Sequence, residues 1–186
     1  MNGPVGEGSL LGGVFAPDER WMGEALRLAR EAAARGEVPV GAVVVRDGRV
    51  LARGHNQVEA LRDATAHAEI LAIGAAGGAD RDAGEATEDA PADDGNLGNW
   101  RLDDATLYVT LEPCTMCCGA ILLARVGRVV FGAADPRAGA VVSTARLLDG
   151  NPYRHRVEVV GGILAPACGE LLRGFFRDRR TEAPGA

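Results

Sequence analysis

The chain contains no lysine; all twenty of its basic residues are arginine. With so much glycine and alanine alongside, this reads as a genome-wide composition bias, and it excludes reading meaning into arginine rather than lysine at any single position. Cysteine is scarce too. The four cysteines are Cys114, Cys117, Cys118 and Cys168, and three of them fall within one five-residue stretch. Such crowding argues against a disulfide framework and suits a metal. Long apolar runs are missing, since none reaches the roughly 18 residues of a membrane span. Met1 to Phe15 has no basic start and only a short, glycine-broken apolar patch. It is expected to be a flexible extension (residues 1–17) and not a signal peptide. With no secretion signal, the reducing cytoplasm is the expected location.

What is present describes a soluble globular protein. The 186 residues are 47% hydrophobic and 25% charged, enough for one domain with a sizeable core. There is no internal repeat and no second domain, so residues 18–180 are expected to form one unit, with residues 181–186 as a tail. The formal net charge is −6, which at first argues against a nucleic-acid partner. The distribution changes that view. Between Asp80 and Gly95 seven acids face one base, Arg81, so this segment alone carries −6 and the remainder sums to zero. Near the C-terminus, Arg173, Arg177, Arg179 and Arg180 stand against Asp178. A local basic face is compatible with overall acidity.

Hydrophobic periodicity predicts a first helix over Asp18 to Arg35, stopped by Gly36. Pro39 to Val45 and Arg49 to Gly54 read as a hairpin turned by Asp47-Gly48. Asn56 to Thr65 is polar and irregular. A helix is expected to begin near His67 and run through Ile73, with Thr65 as its N-cap. Residues 74–99 lack periodicity and are expected to be structureless, the acidic insertion lying near 76–99. Strands are expected at Thr106 to Leu111, Arg128 to Phe131 and Val157 to Val160. Helices are expected after Pro113, over Ser143 to Leu148, and from Pro166 to Arg180. Such an order favours a central sheet with helices on both faces, an α/β architecture.

Two short motifs carry the chemistry: His67-Ala68-Glu69, and far downstream Pro113-Cys114-Thr115-Met116-Cys117. One imidazole and two thiolates make a three-ligand zinc set with a fourth position open to water, as a catalytic zinc requires. Cys114 and Cys117 lie three apart, so a helix start would place both on one side of its first turn. The positive end of that helix favours thiolates. His67 and Glu69 are two apart, which in a regular helix points them about 200° from each other. Both can face one ion only if His67 lies at the helix entrance. Glu69 then serves as the proton carrier between water and substrate. A structural zinc would want a fourth protein ligand, and the neighbouring Cys118 is turned away around the helix. Cys118 and Cys168 are read as small buried apolar residues. His55 and His155 are read as surface or supporting groups.

The spacing His-x-Glu followed by Pro-Cys-x-x-Cys matches the signature of zinc nucleobase deaminases. Further words extend the match: Glu37 to Ala42, Gly54-His55-Asn56, Thr65 to Ile70, Asp104 to Cys114, Gly119-Ala120, Arg125 to Ala133 and Phe175-Phe176-Arg177. Together they make the chain resemble the bacterial tRNA adenosine deaminases of the cytidine deaminase-like superfamily. That resemblance implies a three-layer α/β/α sandwich on a mixed five-stranded sheet. It also implies one Zn2+ per subunit, no organic cofactor, a homodimer with no membrane attachment, and deamination of the wobble adenosine in a tRNA anticodon stem-loop. By matching position, His67, Cys114 and Cys117 would bind zinc and Glu69 would be catalytic. Asn56, Ala68, Val40, Asp135, Phe175, Phe176 and Arg177 would contact the RNA. The acidic segment, which lengthens the gap between the zinc motifs, is expected to point away from the phosphates. The rival readings are a deaminase of a free base such as guanine or cytosine, and a non-catalytic RNA-binding subunit.

Overall fold

A computed structural model describes residues 16–82 and 100–182. The expected N-terminal extension up to residue 15, residues 83–99 of the acidic segment, and residues 183–186 of the tail lie outside the described residues.

Helix α1 (Ala16–Ala34) comes first, followed by strands β1 (Gly41–Arg46) and β2 (Arg49–His55). Asp47 and Gly48 both take positive φ, 51° and 72°. That is the conformation a two-residue hairpin needs, and the Asp-Gly pair supplies it. A single turn, α2 (Val58–Leu61), interrupts the irregular stretch. Helix α3 (Ala68–Asp82), β3 (Thr106–Leu111), α4 (Thr115–Leu123), β4 (Arg128–Ala133), β5 (Glu158–Gly161) and α5 (Ala165–Glu182) complete the fold.

The sheet order is β2-β1-β3-β4-β5. β1 runs antiparallel to β2 and β3, while β3, β4 and β5 are parallel. The sheet is therefore mixed and five-stranded, with α1 and α5 on one face and α3 and α4 on the other. Alternation along each strand explains the two layers. Val44, Leu107, Val109, Val129 and Phe131 join a core with α3 and α4. Val43, Val45, Tyr108 and Val130 join a second core with α1 and the start of α5. Among the described residues no helix is long and apolar enough to cross a membrane.

Three expectations need correction. Helix α3 continues to Asp82, well into the stretch expected to lack structure. Its alanines are strong helix formers, Ala72 and Ala76 are buried, and Gly77 lies close to Trp100. Thr65 does not cap α3. Its hydroxyl bonds to Asp63, and His67 occupies the cap position with its carbonyl accepting from Leu71 N. Residues 143–148 form turns and not a helix, because the amides of Val141, Val142 and Ser143 all donate to the side chain of Glu112.

Candidate metal centre and substrate groove

Two helix N-termini converge on the site. His67 immediately precedes α3, and Cys114 is the N-cap of α4 with an extended backbone (φ −76°, ψ 176°). The amide of Cys118 donates to the Cys114 carbonyl at 2.9 Å, which starts the helix and brings Cys117 round beside Cys114. Both helix ends present partial positive charge to the same spot.

The three ligand atoms lie 3.7 Å (Cys114 Sγ to His67 Nδ1), 3.5 Å (Cys117 Sγ to His67 Nδ1) and 3.6 Å (Sγ to Sγ) apart. Zinc bonds of about 2.3 Å to sulfur and about 2.0–2.1 Å to nitrogen, at tetrahedral angles, require edges of about 3.8 Å and about 3.6 Å. The side chains thus already outline one face of a zinc tetrahedron, with the fourth corner free of a protein ligand. This is the one group of three or more potential ligands among the described residues.

The thiols share protons with the imidazole. Cys114 is pushed down to about 3 by the hydrogen bond from Cys117 and then by that with His67. Cys117 is pushed up by its hydrogen bond to Cys114 and by burial. His67 is raised, first by its bond with Cys114. A divalent cation would replace the shared protons and hold both sulfurs as thiolates. Glu69 is buried, 4% exposed. Burial pushes its carboxyl up, opposed in part by a hydrogen bond from Cys117 and by the charge of His67.

Two other buried carboxylates organise the surroundings. Glu37 follows the C-terminus of α1, where Gly36 turns the chain with φ +77°. It accepts from Asn56 Nδ2 at 3.1 Å, Glu59 N at 3.3 Å and Ala60 N at 2.8 Å. Glu112, just before the Pro-Cys motif, accepts from four backbone amides, those of Asp135, Val141, Val142 and Ser143, and from the Ser143 hydroxyl. Burial alone would raise Glu112, but the Ser143 hydroxyl and these amides hold it below its ordinary value. Gly139 must be glycine, because a Cβ there would lie 2.4 Å from the Glu112 carboxyl carbon. The loop carrying Asp135 is therefore clipped to the strand that delivers Cys114. In the sequence, Glu37 and Glu112 stand only as single acids inside longer motifs. A lone acid beside an apolar run gives no sign that it will be buried against amides from distant segments.

The other expected site residues divide into three groups. Asn56, Val40 and Ala68 are buried near the zinc set: Asn56 N donates to Val40 O at 3.0 Å, and Gln57 N bonds to Ala66 O one residue before His67. Asp135, Phe176 and Arg177 line a groove of about 1340 Å³ between the loop after β4 and helix α5, joined by Arg137, Arg173 and Arg180. Phe175 lines a different cavity with Ala33 and Gly36, where the Arg179 guanidinium sits 4.7 Å over its ring. Arg179 also bonds the Gly36 carbonyl, so this arginine closes the end of α1. Asp135 accepts from Arg137 N and Ala138 N, forming its own loop. His55 is buried between Asn56 O and Arg35, and His155 bonds Val126 O at 2.8 Å, so both are structural groups. Cys118 and Cys168 are buried, as expected.

Comparison with known proteins agrees with this geometry. The pattern for the cytidine and deoxycytidylate deaminase zinc-binding region matches residues 16–133. The tRNA-specific adenosine deaminase of Bacillus subtilis (strain 168) is 44% identical over 169 residues, covering 91% of this chain and 94% of the relative. That of Haemophilus influenzae is 45% identical over 166 residues, covering 89% and 86%. A solved structure from work on A-to-I editing by tRNA:A34 deaminases superposes with a TM-score of 0.69 at 42% identity, covering 82% of this chain and 99% of that one. A guanine deaminase from Nitrosomonas europaea superposes with a TM-score of 0.62 at 26% identity, covering 94% and 97%.

Proposed function

The chain belongs to the cytidine and deoxycytidylate deaminase zinc-binding family, and from that premise we propose that it is a tRNA adenosine deaminase, converting the wobble adenosine of an anticodon to inosine. The observation that carries this reading is the zinc face formed by His67, Cys114 and Cys117 with the buried Glu69 beside it. The arginine-edged groove of α5 supports a polyanionic substrate over a free base.

In this reading His67, Cys114 and Cys117 would hold Zn2+, which would supply Lewis acidity that brings the attacking water's pKa towards about 7. Glu69 takes a proton from that water and delivers it to the ring nitrogen next to the reacting carbon, which makes the carbon electrophilic. The water oxygen bonds to that carbon, and Glu69 then carries the proton of the added hydroxyl to the amino group, so that a C=O bond replaces the C–N bond and the amino group leaves as ammonia. The burial of Glu69 suits the first step, because a carboxylate raised by desolvation takes up a proton more readily than an exposed one. Val40 lines the base pocket, the backbone at Ala68 contacts the base, and Asn56 binds the flipped-out nucleotide. Phe176, Arg177 and Asp135 face the anticodon loop across the groove, while Phe175 supports them from behind α5.

The enzyme acts in the cytoplasm as a homodimer without an organic cofactor. Leu123 on α4, and Val142, Leu147 and Tyr153 in the loops that follow, are large exposed apolar side chains that a partner subunit would cover. Light scattering should return twice the 19.3 kDa chain mass.

The deciding experiment incubates zinc-loaded protein with a transcribed tRNA bearing a wobble adenosine and sequences for inosine. Conversion at that base alone is expected. Ammonia release from free guanine or cytosine, with the tRNA unchanged, would move the protein to the free-base branch. Glu69→Ala should lose turnover while keeping its zinc, and surviving turnover would refute the proton-carrier role.

A further inference from the structure

Glu37 is 1% exposed, yet it takes no part in the chemistry just described. We propose that Glu37 is a positioning residue for substrate recognition, fixing the side-chain amide of Asn56 so that its carbonyl oxygen, and not its NH2 group, faces the nucleotide. The inference rests on the reading of Asn56 as a nucleotide contact.

The argument is one of donors and acceptors. A carboxylate can only accept, so the amide group within 3.1 Å of Glu37 Oε2 must be the Asn56 NH2. The backbone around Asn56 leaves no other freedom. Its N–H donates to Val40 O at 3.0 Å, its carbonyl is held by the His55 ring at 2.9 Å, and Gln57 N is tied to Ala66 O. The remaining freedom is a 180° turn of the amide, which would set Asn56 Oδ1 against the Glu37 carboxylate. Charge repulsion in a buried setting opposes that turn. No described residue donates to Asn56 Oδ1, so this acceptor is kept for the substrate. Glu37 is itself held in place by Glu59 N and Ala60 N, at the start of α2, where Gln57 provides no side-chain cap.

Glu37→Gln tests this with little change of shape. The Gln oxygen can stay on Ala60 N while its NH2 meets Asn56, giving up only the long 3.3 Å bond from Glu59 N, and the Asn56 amide then turns to present NH2 to the nucleotide. Zinc content and melting temperature should stay close to those of the parent. KM for tRNA should rise about tenfold, the size of a lost hydrogen bond, with a smaller change in kcat. Because Glu37 acts through Asn56, Glu37→Gln should have no further effect in an Asn56→Ala background. The same cycle read as tRNA affinity in Glu69→Ala protein serves if turnover of the double variant is too slow to time.

An unchanged kcat/KM in Glu37→Gln, or an equal loss with and without Asn56, would overturn the proposal. Failure of the parent protein to edit tRNA strikes the functional reading instead. The cycle then runs on whichever base is turned over and judges Glu37 there.

Discussion

Asp18 shows how much one buried side chain can hold together. It sits in the first turn of α1, accepts two hydrogen bonds from Arg128 at 2.8 Å on β4, and accepts one from the Tyr108 hydroxyl at 2.9 Å on β3. The Arg128 hydrogen bonds hold its carboxyl below the usual range, against the opposing effect of burial and with help from Tyr108. A carboxyl lowered in the folded state stabilises the protein fully above its unfolded value of about 3.9, and that contribution is lost as pH falls through the lower folded value. Asp18→Asn should therefore cost about 2 kcal/mol at neutral pH. In urea unfolding the gap between parent and variant should narrow as pH falls from neutrality through the lowered folded value. A gap of the same size at both ends of that range would show that the carboxylate charge is not responsible. Nothing in the local sequence marks Asp18 for this role, since its partners lie 90 and 110 residues away. The cluster of His67, Cys114 and Cys117 was legible, because zinc chemistry restricts both residue type and spacing.

At the scale of elements, close approach of helix and sheet decides more than propensity. A Cβ at Gly54 on β2 would lie 2.4 Å from Ala68 O and 2.9 Å from Ala72 N, both backbone atoms of α3. Gly54→Ala must push α3 off the sheet. It should cost about 1–3 kcal/mol. Editing should fall as well, because α3 carries Glu69 and follows directly from His67. Gly74 is the control. It lies on the same helix, but a Cβ there meets nothing within 4 Å, so Gly74→Ala should gain up to about 1 kcal/mol and leave editing intact. Thermal melts and initial rates on the two variants separate the outcomes, and equal behaviour would remove the helix-position argument. The boundaries of β3 and the hairpin turn followed from the sequence because a short apolar run, buried on both faces, and Asp-Gly chemistry are local. The extension of α3 to Asp82 did not, because what holds it there, burial of Ala76 and contact with Trp100, comes from outside the segment.

For the whole molecule, zinc bound to His67, Cys114 and Cys117 would act as a rivet between the starts of α3 and α4, which share one core with the sheet. A chelator that strips the metal should abolish editing and lower the melting temperature, since a ligand bound only to the folded state adds its binding free energy to stability. Re-addition of zinc should restore both. An unchanged melting temperature, with metal loss verified by elemental analysis, would limit zinc to chemistry. The sequence by itself determined the α/β class, the two-sided sheet and the His67, Cys114 and Cys117 set that could hold zinc. Each of these depends on periodicity or on residue types at short spacing. Only the tertiary structure decided that Glu37 and Glu112 are buried anchors, that Phe175 and Phe176 face different cavities, and that Arg179 closes α1. Those roles depend on segments far apart in the chain meeting in space, and a linear pattern carries no record of which distant amide or ring a side chain will meet.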